Sequence, residues 1–308
     1  MDRNDGPALR STLVTCVGVS DKVQRVKKRK APPPRRMVAA SSNQRPKRAA
    51  IVVALGLAVL GGGWVLTTST ESTGRQPTVV RSLRVNVHRT FPHDTTAYTQ
   101  GLIWSEGKLY ESTGQYGQSD LRRLDPETGN VEQLVPLGAG FFGEGLARVE
   151  DRLIMLTWKA QRAFVFDVDR FDQVDSFQYR GEGWGLCDDG DRLVMSNGSN
   201  RLTFRDRHTF EEIGGVDVTL RGTPLYQLNE LECVGDAVYA NVYTDDFLVR
   251  INPSTGRVTE YIDATGLLTA EEARGAAEFN GIAYHPETQR FYVTGKLWPK
   301  MFEVTFDG

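Results

Sequence analysis

E-G-L-A-R, residues 144–148, decides the fold because four other stretches repeat its pattern: Q-G-L-I-W from Gln100, W-G-L-C-D from Trp184, N-E-L-E-C from Asn229 and N-G-I-A-Y from Asn280. The starts lie 44, 40, 45 and 51 residues apart, close to the roughly 40–50 residues of a four-stranded propeller blade. A turn with small or acidic residues follows each start, as at Asp189-Gly190-Asp191 and Gly235-Asp236, and then a second apolar run. A second signal recurs in D-P-E-T-G-N, D-V-D-R-F-D, D-R-H-T-F-E and N-P-S-T-G-R, hairpin turns that join a third strand to a fourth. The pattern predicts an all-β chain from residue 81 to 308, a five-bladed β-propeller, with helical periodicity only near residues 268–277. The last repeat stops at Gly308 one strand short. Residues 81–91, themselves β-patterned, are expected to supply that outer strand and close the ring.

Charge divides the rest of the chain. The formal net charge of −2 combines about +10 over residues 1–49 with about −12 over the remainder. Residues 1–48, with P-P-P-R-R and K-K-R-K and few aromatics, read as a disordered basic tail held against anionic lipid rather than nucleic acid. Residues 49–67 run for nineteen positions without a charge, enough for one transmembrane helix across roughly 30 Å of hydrocarbon. Lys47 and Arg48 put the N-terminus in the cytoplasm and the β domain outside, with residues 68–80 as linker. The competing reading is a cleaved secretory signal starting at Met37, although no clear A-x-A site follows.

Three cysteines show no metal spacing. Cys187 and Cys233 lie in the β domain and a disulfide between them is left open by sequence. The four histidines, His88, His93, His208 and His285, have no zinc-ligand spacing. G-E-G-W-G at 181–185 lacks the helix that a dinucleotide site requires.

In a propeller the start of each first strand lies beside the end of the antiparallel second strand. That rule gathers on one rim Gln100 and Glu111, Glu144 with Trp158 and Lys159, Trp184 and Asn197, Asn229 and Tyr243, and Asn280 with Lys296 and Trp298. Carboxylates, amides, aromatics and lysines around a small hole suit a short polar ligand bearing an amine. Glu144 is the best acid or base: glycines flank it, and Phe141, Phe142 and Trp158 would strip its water and raise its pKa.

Six motifs in register, F-P-H-D-T-T-A-Y-T-Q-G-L (91–102), F-G-E-G-L (142–146), G-E-G-W-G-L (181–186), L-N-E-L-E (228–232), N-G-I-A-Y (280–284) and V-T-G-K-L-W-P-K (293–300), resemble the plant-type glutaminyl-peptide cyclotransferases, which also occur in bacteria. The resemblance implies a five-bladed propeller that converts N-terminal glutamine of peptides or proteins to pyroglutamate with loss of ammonia, without catalytic zinc. Matched motif by motif, the site implied comprises Tyr98, Gln100, Glu144, Trp158, Trp184, Asn229, Tyr243 and Lys296. Tyr98 stands where the plant pattern usually has Phe, and Tyr243 where Trp is common.

The chemistry needs an amine to attack the γ-carboxamide carbon, a stabilised oxyanion and a proton for the departing ammonia. Glu144 is expected to shuttle that proton, with Asn229 and Lys296 on the oxygen and Gln100 orienting the backbone. Trp158, Trp184 and Tyr243 would wall the folded side chain. Two other readings compete: a calcium-dependent propeller lactonase or hydrolase drawing on Glu144, Asn197, Asn229 and Asp245 or Asp246, and a membrane-anchored module that binds peptides without reacting. A monomer is expected, needing no catalytic cofactor; a structural calcium is compatible with the sequence.

Overall fold

Asp125, Asp167, Asp206 and Asn252 open the four recurring hairpin turns, and their local chemistry is the same. Each side-chain Oδ1 accepts from the N–H groups two and three residues on, at 2.7–3.2 Å. That Asx geometry reverses the chain between third and fourth strands.

A computed structural model describes residues 79–308. The expected basic tail, the membrane segment and nearly all of the linker lie outside the described residues. Among the described residues no helix is long and apolar enough to cross a membrane.

The strands are β1 (Arg81–Pro92), β2 (Thr99–Ser105), β3 (Lys108–Thr113), β4 (Asp120–Leu124) and β5 (Val131–Pro136), then β6 (Gly143–Val149), β7 (Arg152–Thr157), β8 (Arg162–Asp167) and β9 (Gln173–Gln178). They continue with β10 (Leu186–Asp188), β11 (Leu193–Met195), β12 (Arg201–Arg205), β13 (Glu212–Asp217), and a short hairpin of β14 (Thr219–Leu220) and β15 (Thr223–Pro224). The last are β16 (Leu228–Val234), β17 (Ala237–Val242), β18 (Phe247–Asn252), β19 (Arg257–Asp263), β20 (Phe279–His285), β21 (Arg290–Gly295) and β22 (Lys300–Asp307). Between β19 and β20 the expected helix shrinks to one 3₁₀ turn, Glu272–Arg274, where Thr269 and Glu272 cap each other.

Strands β2–β5, β6–β9 and β10–β13 form three four-stranded antiparallel meanders. A ten-stranded sheet contains two more, β16–β19 and β20–β22 with β1, joined through their outer strands. β1 pairs antiparallel with β22, from Arg84 opposite Asp307 to Pro92 opposite Lys300, and parallel with β19 over Arg81 to Arg84. The strand preceding the first repeat therefore completes the last one, as its sequence predicts. The first strands β2, β6, β10, β16 and β20 lie each against the next, and β20 lies against β2. Five apolar clusters fill the spaces between successive meanders, including the last and the first. The arrangement is all-β, closed on itself and consistent with a propeller.

Close approach of the first strands explains the glycine in the repeat. A Cβ on Gly145 would lie 2.6 Å from the Leu186 nitrogen, and one on Gly185 2.0 Å from the Asn229 carbonyl oxygen. The fourth repeat carries Glu230 instead, and its carboxylate reaches across the ring. One oxygen accepts from Leu102 N–H at 3.2 Å and the other from Ile282 N–H at 3.0 Å. Glu232 accepts from Tyr284 N–H at 2.9 Å, so both carboxylates bridge to a neighbour. Burial pushes Glu230 well above the usual carboxylate range despite those two donors. Glu230→Ala would orphan two buried N–H groups and should cost on the order of 3 kcal/mol, measurable by denaturant unfolding. A change within experimental error would show that water replaces the carboxylate.

Cys187 in β10 and Cys233 in β16 form a disulfide, with Cα atoms 5.5 Å apart and a sequence separation of 46. It ties the third meander to the fourth and resolves what sequence left open.

Candidate active site

Glu144 enters the site through an irregularity in its strand. Pairing of β6 with β7 jumps from Gly143 to Leu146, so Glu144 and Gly145 turn their backbone groups to other partners. Ser112 Oγ–H donates to the Glu144 carbonyl at 2.6 Å, and Gly145 N–H donates to Trp184 O at 2.6 Å. The bulge aims the Glu144 side chain into the ring. The same jump occurs in β2 between Thr99 and Gly101, in β16 between Leu228 and Leu231, and in β20 between Phe279 and Ile282. Gln100, Asn229 and Asn280 occupy those positions.

Lys296 follows β21 in a tight turn. Leu297 adopts φ +59° and donates its N–H to Ala97 O at 2.7 Å, which points Lys296 inward. Its Nζ lies 4.9 Å from the Tyr98 ring centroid, 4.6 Å from that of Tyr243, and 3.8 Å from Glu278 Oε2. Two aromatic faces and a carboxylate thus surround one ammonium.

These elements close a pocket of about 220 Å³ lined by Tyr98, Gln100, Phe142, Glu144, Trp158, Trp184, Asn229, Tyr243 and Lys296. All eight site residues expected from sequence are brought together there. Glu144, Asn229 and Lys296 are only 4%, 2% and 3% exposed, so their charges and dipoles act with little screening by water. Burial, reinforced by the charge of Glu182, raises Glu144 well above the usual carboxylate range, although Lys296 and a hydrogen bond from Gln100 oppose it. Burial likewise lowers Lys296, with Glu144 and Glu278 resisting. Burial and Glu278 push the Tyr98 hydroxyl up to about 12. Asn229 Oδ1 is buried without a hydrogen-bond partner among the described residues.

Other rim residues settle differently. Phe142 lines the pocket edge-on to Tyr98 and Trp158, whereas Phe141 turns away and packs against Phe164 at 4.8 Å. Trp298 is buried behind the site, its Nε1–H donating to Ala277 O at 2.9 Å. Asn197 is occupied in a turn with Ser199, while Asp245 and Asp246 are exposed. Among the described residues no group of three or more His, Cys, Asp or Glu is placed to hold a metal ion. Glu111 accepts from Thr99 Oγ1 at 2.6 Å and bonds His93 Nε2 at 3.1 Å, and His93 Nδ1 donates to Trp298 O at 2.8 Å. Burial opposes a charge on His93, yet Glu111 outweighs it and the pKa is raised. With both ring nitrogens facing acceptors, His93 joins the turn before β2 to Glu111 and to the Trp298 backbone.

A family model described as glutamine cyclotransferase matches residues 58–306. The chain belongs to the glutamine cyclotransferase family. It is 37% identical over 225 residues to a glutaminyl-peptide cyclotransferase of Arabidopsis thaliana, a match covering 71% of this chain and 70% of that protein. Its fold matches the crystal structure of Myxococcus xanthus glutaminyl cyclase with a TM-score of 0.68 at 38% identity, over 74% of this chain and 99% of that one.

Two acidic residues at the site were passed over by the sequence reading, Glu278 behind Lys296 and Glu182 beside the tryptophans. Glu182 had a signal, since G-E-G at 181–183 repeats the G-E-G around Glu144. Glu278 had none: it precedes its repeat in an irregular loop.

Proposed function

We propose that this chain is a glutaminyl-peptide cyclotransferase, a five-bladed β-propeller that closes the N-terminal glutamine of peptides or proteins into pyroglutamate and releases ammonia. The observation that carries the reading is the buried carboxyl of Glu144 sharing one small aromatic-walled pocket with Lys296 and Asn229. The ring of first strands and its closure through β1 support the propeller.

The substrate's α-amine attacks the γ-carboxamide carbon as a neutral base. A C–N bond forms, the carbonyl oxygen takes up negative charge, and the new ring nitrogen carries an extra proton. Lys296 and the Asn229 amide N–H stabilise the oxygen. Glu144 transfers one proton from the ring nitrogen to the amide nitrogen, after which the old C–N bond breaks and ammonia leaves. Glu144 ends as it began, so the shuttle balances. A carboxyl raised well above its usual range by burial suits both halves of that transfer. Gln100 orients the backbone while Tyr98, Phe142, Trp158, Trp184 and Tyr243 pack the folded side chain. Every group the reaction needs is a side chain, so no metal is invoked.

The pH dependence follows. An α-amine titrates near 7.7–8.0, so kcat/KM should rise through that range as the nucleophile loses its proton. Lys296, lowered by burial, then loses its charge at a lower pH than a solvated lysine, and activity should fall on the alkaline side. A pH–rate profile that stays flat from 7 to 9 would contradict these roles.

Residues 49–67, with Lys47 and Arg48 before them, support a single-pass anchor with the β domain outside the cytoplasm, and the Cys187–Cys233 disulfide suits an oxidising compartment. The deciding assay measures ammonia from a Gln-initiated dipeptide, its N-acetylated twin as control, with and without chelator. Release from the free peptide alone, unaffected by chelator, is expected. Chelator-abolished activity would favour a metal-dependent reaction.

A further inference from the structure

Glu182 is held between the two tryptophans of the pocket wall. Trp158 Nε1–H donates to its Oε2 at 2.7 Å, and Trp184 Nε1–H donates to the same oxygen at 3.1 Å. The other oxygen, Oε1, lies 3.7 Å from Lys159 Nζ, which itself sits 3.7 Å over the Trp158 ring. The two indoles come from different meanders, Trp158 just after β7 and Trp184 just before β10. One carboxylate therefore joins two walls that have no covalent reason to stay in register.

The backbone around Glu182 is built for that placement. Gly181 has φ +86°. A Cβ on Gly183 would lie 2.3 Å from the Tyr179 hydroxyl and 3.2 Å from Leu156 Cβ, so residue 183 must be glycine. Its N–H donates to Trp158 O at 3.0 Å, pinning the segment beside the first indole. An indole N–H can only donate, and without Glu182 both would need new acceptors in a half-dry pocket. A surface ion pair with Lys159 would explain neither the sharing of one oxygen by two neutral donors nor the glycines.

We propose that Glu182 is a positioning residue for the cyclisation: by accepting from both indoles it fixes the aromatic walls that bind an N-terminal glutamine in the pocket. The role rests on the cyclotransferase reading above. Walls that grip the bound substrate and the transition state alike act on KM more than on kcat.

The test compares Glu182→Ala, Glu182→Gln and Glu182→Asp with the parent on a Gln-initiated peptide, folding being checked by near-ultraviolet circular dichroism. Glu182→Ala should raise KM at least about tenfold, which is about 1.4 kcal/mol, with kcat within about threefold. Glu182→Gln keeps an oxygen that can accept from both indoles and should return KM to within about threefold of the parent. Glu182→Asp is one methylene too short to reach both, and should behave like the alanine variant; it decides the matter should the alanine variant not fold. Unchanged KM in both Ala and Asp variants of an active enzyme, or a Gln variant as impaired as Ala, overturns the positioning role alone. A parent protein that releases no ammonia overturns the cyclotransferase reading and this role with it.

Discussion

Glu144→Gln should reduce kcat by about two to four orders of magnitude while leaving the fold intact. A positioned acid–base group contributes on the order of 10² to 10⁴ in rate, and this pocket holds no second carboxyl among its lining residues to take over. Glutamine preserves shape and can still bond Gln100, so substrate binding should change little and the loss should fall on kcat. Stability gives an independent sign. Because burial raises the Glu144 pKa in the folded state, the group's contribution is intact below the unfolded value, near 4.3. That contribution is lost as pH rises toward the folded value. Glu144→Gln removes the loss. The variant should match the parent in thermal stability at about pH 4 and exceed it at pH 8, a difference readable by calorimetry. A variant that retains most of its kcat would remove Glu144 from the proton path.

Lys296→Ala should lower kcat by about 10² to 10³, the range for deleting one donor to a developing oxyanion. The ammonium is buried between two tyrosine rings and two carboxyl groups, so no other cation is at hand to replace it among the lining residues. Lys296→Met, which keeps the stem and loses the charge, should be as impaired as the alanine variant. That outcome would assign the loss to charge rather than to packing. Full activity in the methionine variant would show that Asn229 alone suffices for the oxygen.

Much of this was legible because a propeller makes position predictable. A repeat with a fixed start places Gln100, Glu144, Trp184 and Asn229 at the head of successive first strands, and strand pairing brings Trp158, Tyr243 and Lys296 back to the same rim. Even the swapped outer strand followed from counting strands in the last repeat. What escaped the sequence depends on single torsions and on side-chain reach. Phe141 and Phe142 are adjacent aromatics, and only the chain's entry into β6 decides that Phe142 faces the pocket. Trp298 lies two residues from Lys296, yet the left-handed Leu297 between them sends one into the core and the other into the site. Glu230 also stands at the head of a first strand, and its carboxylate is taken up by two backbone donors across the ring. Such distinctions require coordinates, because no periodicity encodes them.

The central claim is that this pocket makes pyroglutamate, and the most direct measurement is mass spectrometry of a Gln-initiated peptide incubated with the protein, run beside the Glu144→Gln variant. The peptide should lose the mass of one ammonia at its N-terminal residue with the parent protein and remain intact with the variant. A peptide unchanged by the parent, or converted equally by both, would contradict the account.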